Sequence, residues 1–239
     1  MTCNNVHQKA YMAPSNDIDP IKLAIVVGST RDGRAAERFL PWLIERTQRH
    51  GRFSATVLDL RDWALPVFQE TTATIRTGYS TPQVRRWNEA VAAAEAYLFV
   101  TPEYNHSISG VLKNAIDSVI ASNGFRNKPA GFVGYSAGIV GGARAVEHLA
   151  AIAIEAELVP LRNAVLLARV GQAFDAGGLP IDPATDHALT ILLDDVSWWG
   201  AALRQARSSG ELPPASRRAR STAGNALRKT LASASISTR

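Results

Sequence analysis

The chain has 239 residues, of which 46% are hydrophobic, and a formal net charge of +5. That length accommodates one α/β domain with short tails. A single cysteine, Cys3, excludes a disulfide framework and a cysteine metal site, and no apolar run approaches the ~20 residues that span a bilayer.

The positive charge lies near the carboxyl terminus. From Arg204 onward there are eight Lys or Arg residues and one Asp or Glu, so the rest of the chain has a balance of −2. A nucleic-acid-binding fold needs a basic face on a folded surface, and we expect neither a nucleic-acid nor a membrane partner. Residues 1–20 lack the apolar core of a secretory signal, so we expect a cytoplasmic protein. We predict a flexible arm over 1–20, a folded domain over 21–204 and a basic disordered tail over 205–239.

Short apolar runs alternate with amphipathic helical patterns along the predicted domain, as in parallel βαβ units. Strands are predicted over 22–27, 53–60, 97–100, 130–135 and within 158–167, the last kinked near Pro160. Helices are predicted up to about residue 50, over 82–95, from about 110 to 120, up to about 157, and from 182 to about 204. This alternation favours an α/β flavodoxin-like three-layer sandwich, a five-stranded parallel sheet of order 2-1-3-4-5 with helices on both faces.

Residues 28–36 follow the first predicted strand and lead into the first helix. Backbone N–H groups and the positive end of a helix point at whatever binds there. Ser29 and Thr30 add hydroxyl groups, and Arg31 and Arg34 add two charges that suit phosphate. The spacing breaks the dinucleotide fingerprint, and Ala35 has no hydroxyl for the Mg²⁺ of a Walker A loop. A site for a terminal monophosphate, such as that of FMN, is therefore favoured over an ordinary turn with solvated arginines.

A polar elbow, Glu103-Tyr104-Asn105-His106-Ser107, follows the third predicted strand. We predict that this strand breaks at Thr101-Pro102, because proline cannot donate to a sheet ladder and restricts the residue before it. The elbow then lies at the carboxyl end of a central strand, where open α/β sheets bind ligands. We interpret it as the wall that holds a flat cofactor ring, with Glu103 as a hydrogen-bond partner rather than a general base.

The glycine-rich loop over 134–142 contains Gly134-Tyr135-Ser136-Ala137-Gly138, which matches the G-x-S-x-G nucleophile elbow of α/β-hydrolases. A serine hydrolase using Ser136 also needs an acid and then a histidine. Only His148 and His187 follow, and Asp186 directly before His187 makes a poor triad geometry. The alternatives are a close approach of bare backbone to a ligand and an ordinary flexible βα loop.

Two further features carry weaker signals. The five histidines form no H-x-x-x-H pair, so no metal site is expected. Trp198-Trp199, on the last predicted helix, are expected to pack in the core or in an interface.

Several segments, in the same order along residues 22–170, resemble the NADPH-dependent FMN reductase family. That family includes azo-, quinone- and chromate-reducing flavoproteins with a flavodoxin-like fold. The matching segments are Gly28-Ser29-Thr30-Arg31-Asp32-Gly33-Arg34, residues 59–66, Thr101-Pro102-Glu103-Tyr104-Asn105-His106-Ser107, residues 110–117 and residues 136–145.

The resemblance implies an FMN-dependent NAD(P)H oxidoreductase with an FMN-binding domain over 21–204. A hydride would pass from NADPH or NADH to flavin N5 and on to a quinone, azo, free flavin or metal-oxyanion acceptor, with no side-chain nucleophile. The implied partners are this nicotinamide nucleotide, the small-molecule acceptor and further copies of the chain, as a homodimer or a tetramer. The implied FMN contacts are Ser29, Arg31, Arg34, Ala35 and Ala36 at the phosphate, Pro102, Glu103, Tyr104 and Asn105 at the isoalloxazine ring, and Ser136, Gly138 and Gly141 at the ring's other edge.

The chain also departs from the family pattern. Ala35-Ala36 stand where many relatives have a small polar residue, and Ser109 stands where relatives commonly have proline. Two hypotheses remain open beside the reductase and the hydrolase. One is a flavodoxin-type electron carrier without its own nicotinamide site, which the nearly neutral domain disfavours. The other is a binding module of the same fold without flavin.

Overall fold

The computed structural model describes residues 19–70, 78–214 and 217–218. Its strands are β1 (Ile21–Val27), β2 (Phe53–Asp59), β3 (Ala96–Pro102), β4 (Pro129–Tyr135) and β5 (Val159–Leu167). Its helices are α1 (Ala36–Arg49), α2 (Pro82–Ala93), α3 (Gly110–Asp117), α4 (Ala143–Glu155) and α5 (Pro183–Ser208), with 3₁₀ turns at Leu60–Asp62 and Ile120–Ser122. Neighbouring strands are parallel and their order is β2-β1-β3-β4-β5, which confirms the predicted fold.

Helices cover both faces of this sheet. The apolar side chains of α2, α3 and α4 share one core cluster with Tyr97 and Phe99 of β3. Those of α1 and α5 share the other with Leu98 and Val100 of the same strand. Successive residues of a strand point to opposite faces, so β3 and β4 are buried along their whole length. Burial on both faces accounts for the continuous apolar runs that identified these strands.

The third strand is predicted to end at Val100 and to break at Thr101-Pro102, but β3 includes both residues, paired with Gly134 and Tyr135 of β4, and ends at Pro102. Toward β1, the Val100 carbonyl accepts the Gly28 N–H at 2.8 Å. Residues two apart in a strand direct their backbone N and C=O groups toward the same neighbouring strand. The nitrogen of Pro102 therefore faces the β1 side, as the carbonyl of Val100 does. There β1 has already ended at Val27, and no ladder hydrogen bond is lost.

The fifth strand is irregular next to Pro160, where the sequence predicts a kink. Ala130 pairs with Pro160, whereas Phe132 pairs with Ala164, so two steps along β4 correspond to four along β5. Such a bulge bends an edge strand and interrupts its ladder.

The last helix ends four residues beyond the predicted boundary at Arg204. Asp182 caps its start, as the Asp-Pro pair predicts. Near its end Arg204 pairs with Glu95 at 2.5 Å, and Arg207 donates to the Asn127 carbonyl. Most of the predicted arm over 1–20 and residues 219–239 of the predicted tail lie outside the described residues. Within the described ranges, no helix is both long and apolar enough to cross a bilayer.

Candidate functional site

The loops that follow β1 and β3 are tied together at the carboxyl edge of the sheet. The Ser109 hydroxyl donates to the Gly28 carbonyl and accepts the Leu112 N–H at 3.2 Å, which caps α3. The hydroxyl oxygens of Ser29 and Tyr104 lie 2.8 Å apart. The first loop and the elbow therefore form one continuous surface, although their residues are about 75 positions apart.

The first loop has two layers. Ser29, Arg34 and Ala36 are buried, with exposed fractions of 0%, 7% and 0%, and we call them the lower layer. Residues 30–33 are exposed, and we call them the upper layer. Within the described part of the chain, the backbone N–H groups of residues 30–33 donate to no protein acceptor, and residues 32 and 33 form a turn. The upper layer thus presents a set of unpaired donors.

The two arginines of this loop have different surroundings. The Arg34 guanidinium forms a bidentate pair with Asp59 at the end of β2, with Nη1 at 2.7 Å from Oδ1, and also donates to the Ser29 carbonyl. The Arg31 side chain is exposed and has no hydrogen-bond or ion-pair partner among the described residues. The sequence predicts both as phosphate ligands, whereas the structure leaves only Arg31 uncommitted.

The elbow is a tight two-residue turn. Tyr104 and Ser107 exchange backbone hydrogen bonds of 2.9 and 3.1 Å. Between them Asn105 and His106 have φ values of 49° and 69°, as in the primed turns that asparagine tolerates. The N–H of Glu103 donates to the Tyr135 carbonyl. In the described chain, only Asn105 and His106 of the elbow keep an N–H without a protein acceptor.

The carboxylate of Glu103 binds α4 rather than the open edge. Its Oε1 lies 2.6 Å from the Arg144 guanidinium, and its Oε2 accepts the Arg144 N–H at 3.2 Å. Arg144 also contacts His106 Nε2 at 2.7 Å. The side chain of Glu103 is 5% exposed, so it acts as a hydrogen-bond partner, as expected. Any ring contact of Glu103 therefore involves its backbone and not its carboxylate.

The glycines of the loop over 134–142 serve different purposes. Gly142 has φ +84°, and a Cβ there would lie 2.5 Å from the Tyr135 nitrogen. Gly141 has φ +61°, and its Cβ would lie 2.9 Å from backbone atoms of β5 and the residue after it. A Cβ at Gly138 would make one ordinary van der Waals contact, 3.8 Å from the Ser136 hydroxyl. Local packing therefore accounts for Gly141 and Gly142 but not for Gly138, and the predicted ligand contacts of Gly138 and Gly141 stay predictions.

Among the described residues, Ser136 belongs to no catalytic triad. The Ser136 hydroxyl donates to the Gly138 carbonyl at 3.3 Å, and no histidine of the described chain is hydrogen-bonded to it. His148 instead contacts the Ser107 hydroxyl at 3.0 Å. The candidate acid Asp186 accepts hydrogen bonds from two α1 side chains. These contacts argue against a serine hydrolase.

Two residues of the site were not predicted from the sequence. Asp59 ends β2 at the same edge as the first loop, a position that the predicted fold already implies. Tyr135 ends β4, and its buried hydroxyl lies near the Ser29 side chain without a well-formed hydrogen bond to any described residue. Burial raises the pKa of Tyr135 to about 12, so the hydroxyl stays protonated. Trp198 and Trp199 lie edge to face on the surface, 57% and 38% exposed. Of the two expectations for this pair, packing in the core is wrong and packing in an interface stays a prediction.

The donor set fits FMN. Unpaired N–H groups in the loop before α1 and an uncommitted guanidinium suit a terminal phosphate. The elbow and the Gly138 backbone supply further N–H groups for a planar ring. Pro102 directly precedes the elbow, and Tyr104 lies within it. Among the described residues no group of three or more His, Cys, Asp or Glu side chains could hold a metal ion.

Comparisons with known proteins agree with this geometry. Residues 21–172 match a family model described as NADPH-dependent FMN reductase. The chain is 40% identical over 126 residues to an NAD(P)H-dependent FMN reductase of Pseudomonas aeruginosa, covering 52% of this chain and 68% of that protein. It is 28% identical over 186 residues to a 2-hydroxy-1,4-benzoquinone reductase of a Burkholderia species, covering 75% and 96%. Among solved structures, a flavoenzyme NAD(P)H:(acceptor) oxidoreductase of Paracoccus denitrificans superposes with a TM-score of 0.60 at 25% identity, covering 76% and 98%.

Proposed function

The chain belongs to the NADPH-dependent FMN reductase family, and from this premise we propose that it is an FMN-dependent NAD(P)H oxidoreductase. The observation that carries the proposal is the upper layer of the first loop. There, unpaired N–H groups lie in the loop that leads into α1, and Arg31 of the same loop is exposed, with no partner for its guanidinium in the described chain. Such donors bind a terminal phosphate without a metal ion.

The remaining loops would hold the ring. In our proposal the N–H groups of Asn105 and His106 and the backbone around Gly138 donate to its polar atoms, and Ser136 borders them. Donors placed there stabilise negative charge as it develops on reduction. When bound, FMN would supply hydride transfer between NAD(P)H and an acceptor. The protein's part is binding, orientation and electrostatics, so no side-chain nucleophile is required.

The named activities of the relatives support the choice of acceptors. The Pseudomonas relative is an FMN reductase and the Burkholderia relative a benzoquinone reductase. We propose quinones as the first acceptor class to test, followed by azo compounds, free flavin and metal oxyanions. NADPH and NADH are both candidate donors, since the relatives' names include either.

Assembly and location are part of the same proposal. Val67, Phe68 and Val111 are 83%, 45% and 38% exposed. The Phe68 N–H donates to Asn114 of α3 at 2.7 Å, which holds the β2 loop next to the helix that carries Val111. An apolar patch of this kind beside the elbow supports contact with a second copy of the chain, and we propose a cytoplasmic homodimer.

A visible spectrum and a turnover assay test the proposal. The purified protein, after addition of FMN and gel filtration, is expected to keep flavin absorbance that bleaches with anaerobic NADPH or NADH. With a benzoquinone it should oxidise NAD(P)H over many turnovers. Bleaching without turnover would favour the electron carrier, and failure to bind FMN would favour the binding module.

The hydrolase alternative is tested with Ser136→Ala. A flavin reductase should keep its NAD(P)H:quinone turnover within about threefold, because Ser136 contributes at most one neutral hydrogen bond. Loss of an esterase activity in this variant would contradict the proposal.

A further inference from the structure

The lower layer of the first loop contains a closed ion pair. Arg34 and Asp59 pair in bidentate fashion, and their side chains are 5% and 17% exposed. Asp59 also accepts the Arg61 N–H at 3.1 Å. The pair therefore links the loop after β1 to the end of β2, beneath the residues that face solvent.

Pairing keeps both groups charged and cancels their field. The hydrogen bond to Asp59 raises the pKa of Arg34 in spite of burial. Burial would raise the pKa of Asp59, but the hydrogen bond from Arg34 leaves it lowered. A bidentate guanidinium–carboxylate pair presents little net charge to a third group several ångströms away.

Arg31 is arranged in the opposite way. Its carbonyl accepts a hydrogen bond from the Arg61 guanidinium, which also pairs with Glu37 at 2.6 Å. The backbone of Arg31 is thus held in place, while its own guanidinium is exposed and, within the described chain, unpaired. Of the two arginines, this one is placed to meet an anion in solution.

We infer that Arg34 is a positioning residue and not a phosphate ligand. In this assignment, which rests on the proposed binding of FMN, the Arg34–Asp59 pair supports the upper layer from below. Arg31 then carries the charge that recognises the phosphate.

The test compares the Kd of FMN with that of riboflavin, which lacks the phosphate, at 20 and 200 mM NaCl by flavin fluorescence. Arg31→Ala removes the proposed charge. The double variant Arg34→Met/Asp59→Asn removes the pair without changing the net charge, and the asparagine introduced in place of Asp59 can still cap the following turn. Arg38→Ala, one helical turn beyond Arg34, is the matched control.

Arg31→Ala should raise the Kd of FMN about 30-fold, because one charge-assisted contact is lost. The Kd of riboflavin should stay within about twofold, and the salt dependence of the FMN Kd should disappear. The double variant should weaken FMN about tenfold and retain the wild-type salt dependence. When the double variant is combined with Arg31→Ala, the Kd of FMN should rise by less than about threefold over that of Arg31→Ala alone, because both changes act through the same contact.

The inference is overturned if the double variant loses the salt dependence, or if its effect multiplies fully with that of Arg31→Ala. It is also overturned if the double variant lowers Tm but leaves the FMN Kd unchanged, since the pair would then serve the fold alone. Circular dichroism establishes that each variant is folded at the assay temperature. If the double variant does not fold, Arg34→Gln/Asp59→Asn, which also keeps the net charge, replaces it. A wild-type protein that binds neither flavin contradicts the proposed function itself.

Discussion

Substituting Gly142 by alanine should destabilise the protein strongly. Its φ of +84° is a left-handed conformation, and the added Cβ would lie 2.5 Å from the Tyr135 nitrogen and 2.8 Å from the Gly134 carbonyl carbon. The left-handed conformation costs an alanine about 1–2 kcal/mol, and overpacking adds about 1–3 kcal/mol. Backbone atoms of β4 form the obstacle, so a side-chain rotation cannot relieve it. We expect a loss of about 4 kcal/mol, the sum of these two effects.

Two other glycines serve as matched controls. Gly33 also has a left-handed backbone, φ +60°, but a Cβ there meets nothing within 4 Å, so its alanine variant should lose only about 1 kcal/mol. Gly138 has neither problem, and Gly138→Ala should lose less than about 0.5 kcal/mol. In a protein of this size, 1 kcal/mol corresponds to about 2–4 °C in Tm. Thermal unfolding of the flavin-free protein should therefore rank the Tm losses as Gly142 greatest, Gly33 next and Gly138 least.

The same three variants separate an effect on folding stability from an effect on FMN binding. Gly138→Ala should keep its Tm and yet weaken FMN, because it adds a methyl group where the backbone is open. Equal Tm values for Gly142→Ala and Gly33→Ala would refute the packing argument. A Gly138→Ala variant with wild-type FMN affinity would show that this backbone does not approach the flavin.

Three further outcomes follow from buried polar groups. Ser109→Ala should lower stability by about 2 kcal/mol, because it removes the α3 cap and the donor to the Gly28 carbonyl, and urea unfolding measures this loss. Burial lowers the pKa of Lys128 from 10.5 to about 8, so the unfolded chain binds more protons above pH 8. Between pH 7.5 and 9.5 the wild type should therefore gain up to about 2 kcal/mol relative to Lys128→Met, and equal pH profiles would contradict the shift. Tyr135→Phe removes a hydroxyl without a well-formed hydrogen bond in the described chain and should leave the Tm within about 2 °C; a larger drop would reveal a partner.

Much of the fold could be predicted because the apolar runs of β3 and β4 and the helical patterns are strong signals. The position of Pro102 could not, since it depends on where the neighbouring β1 ends and not on the proline alone. The different roles of Arg31 and Arg34 could not be predicted from the sequence either. The two residues are alike in type and three positions apart, and only Asp59, 25 residues further along the chain, distinguishes them.

The contacts between the loops bear on how the site binds. Ser109 joins α3 to Gly28, Tyr104 joins the elbow to Ser29, and Glu103 joins the elbow to α4. These links leave the N–H groups of the upper layer uncommitted. A site whose loops already hold one another loses little conformational freedom on binding, and more of its contact energy therefore appears as affinity. Variants that cut one of these links should for this reason slow binding or weaken it, even where the altered residue never touches the flavin.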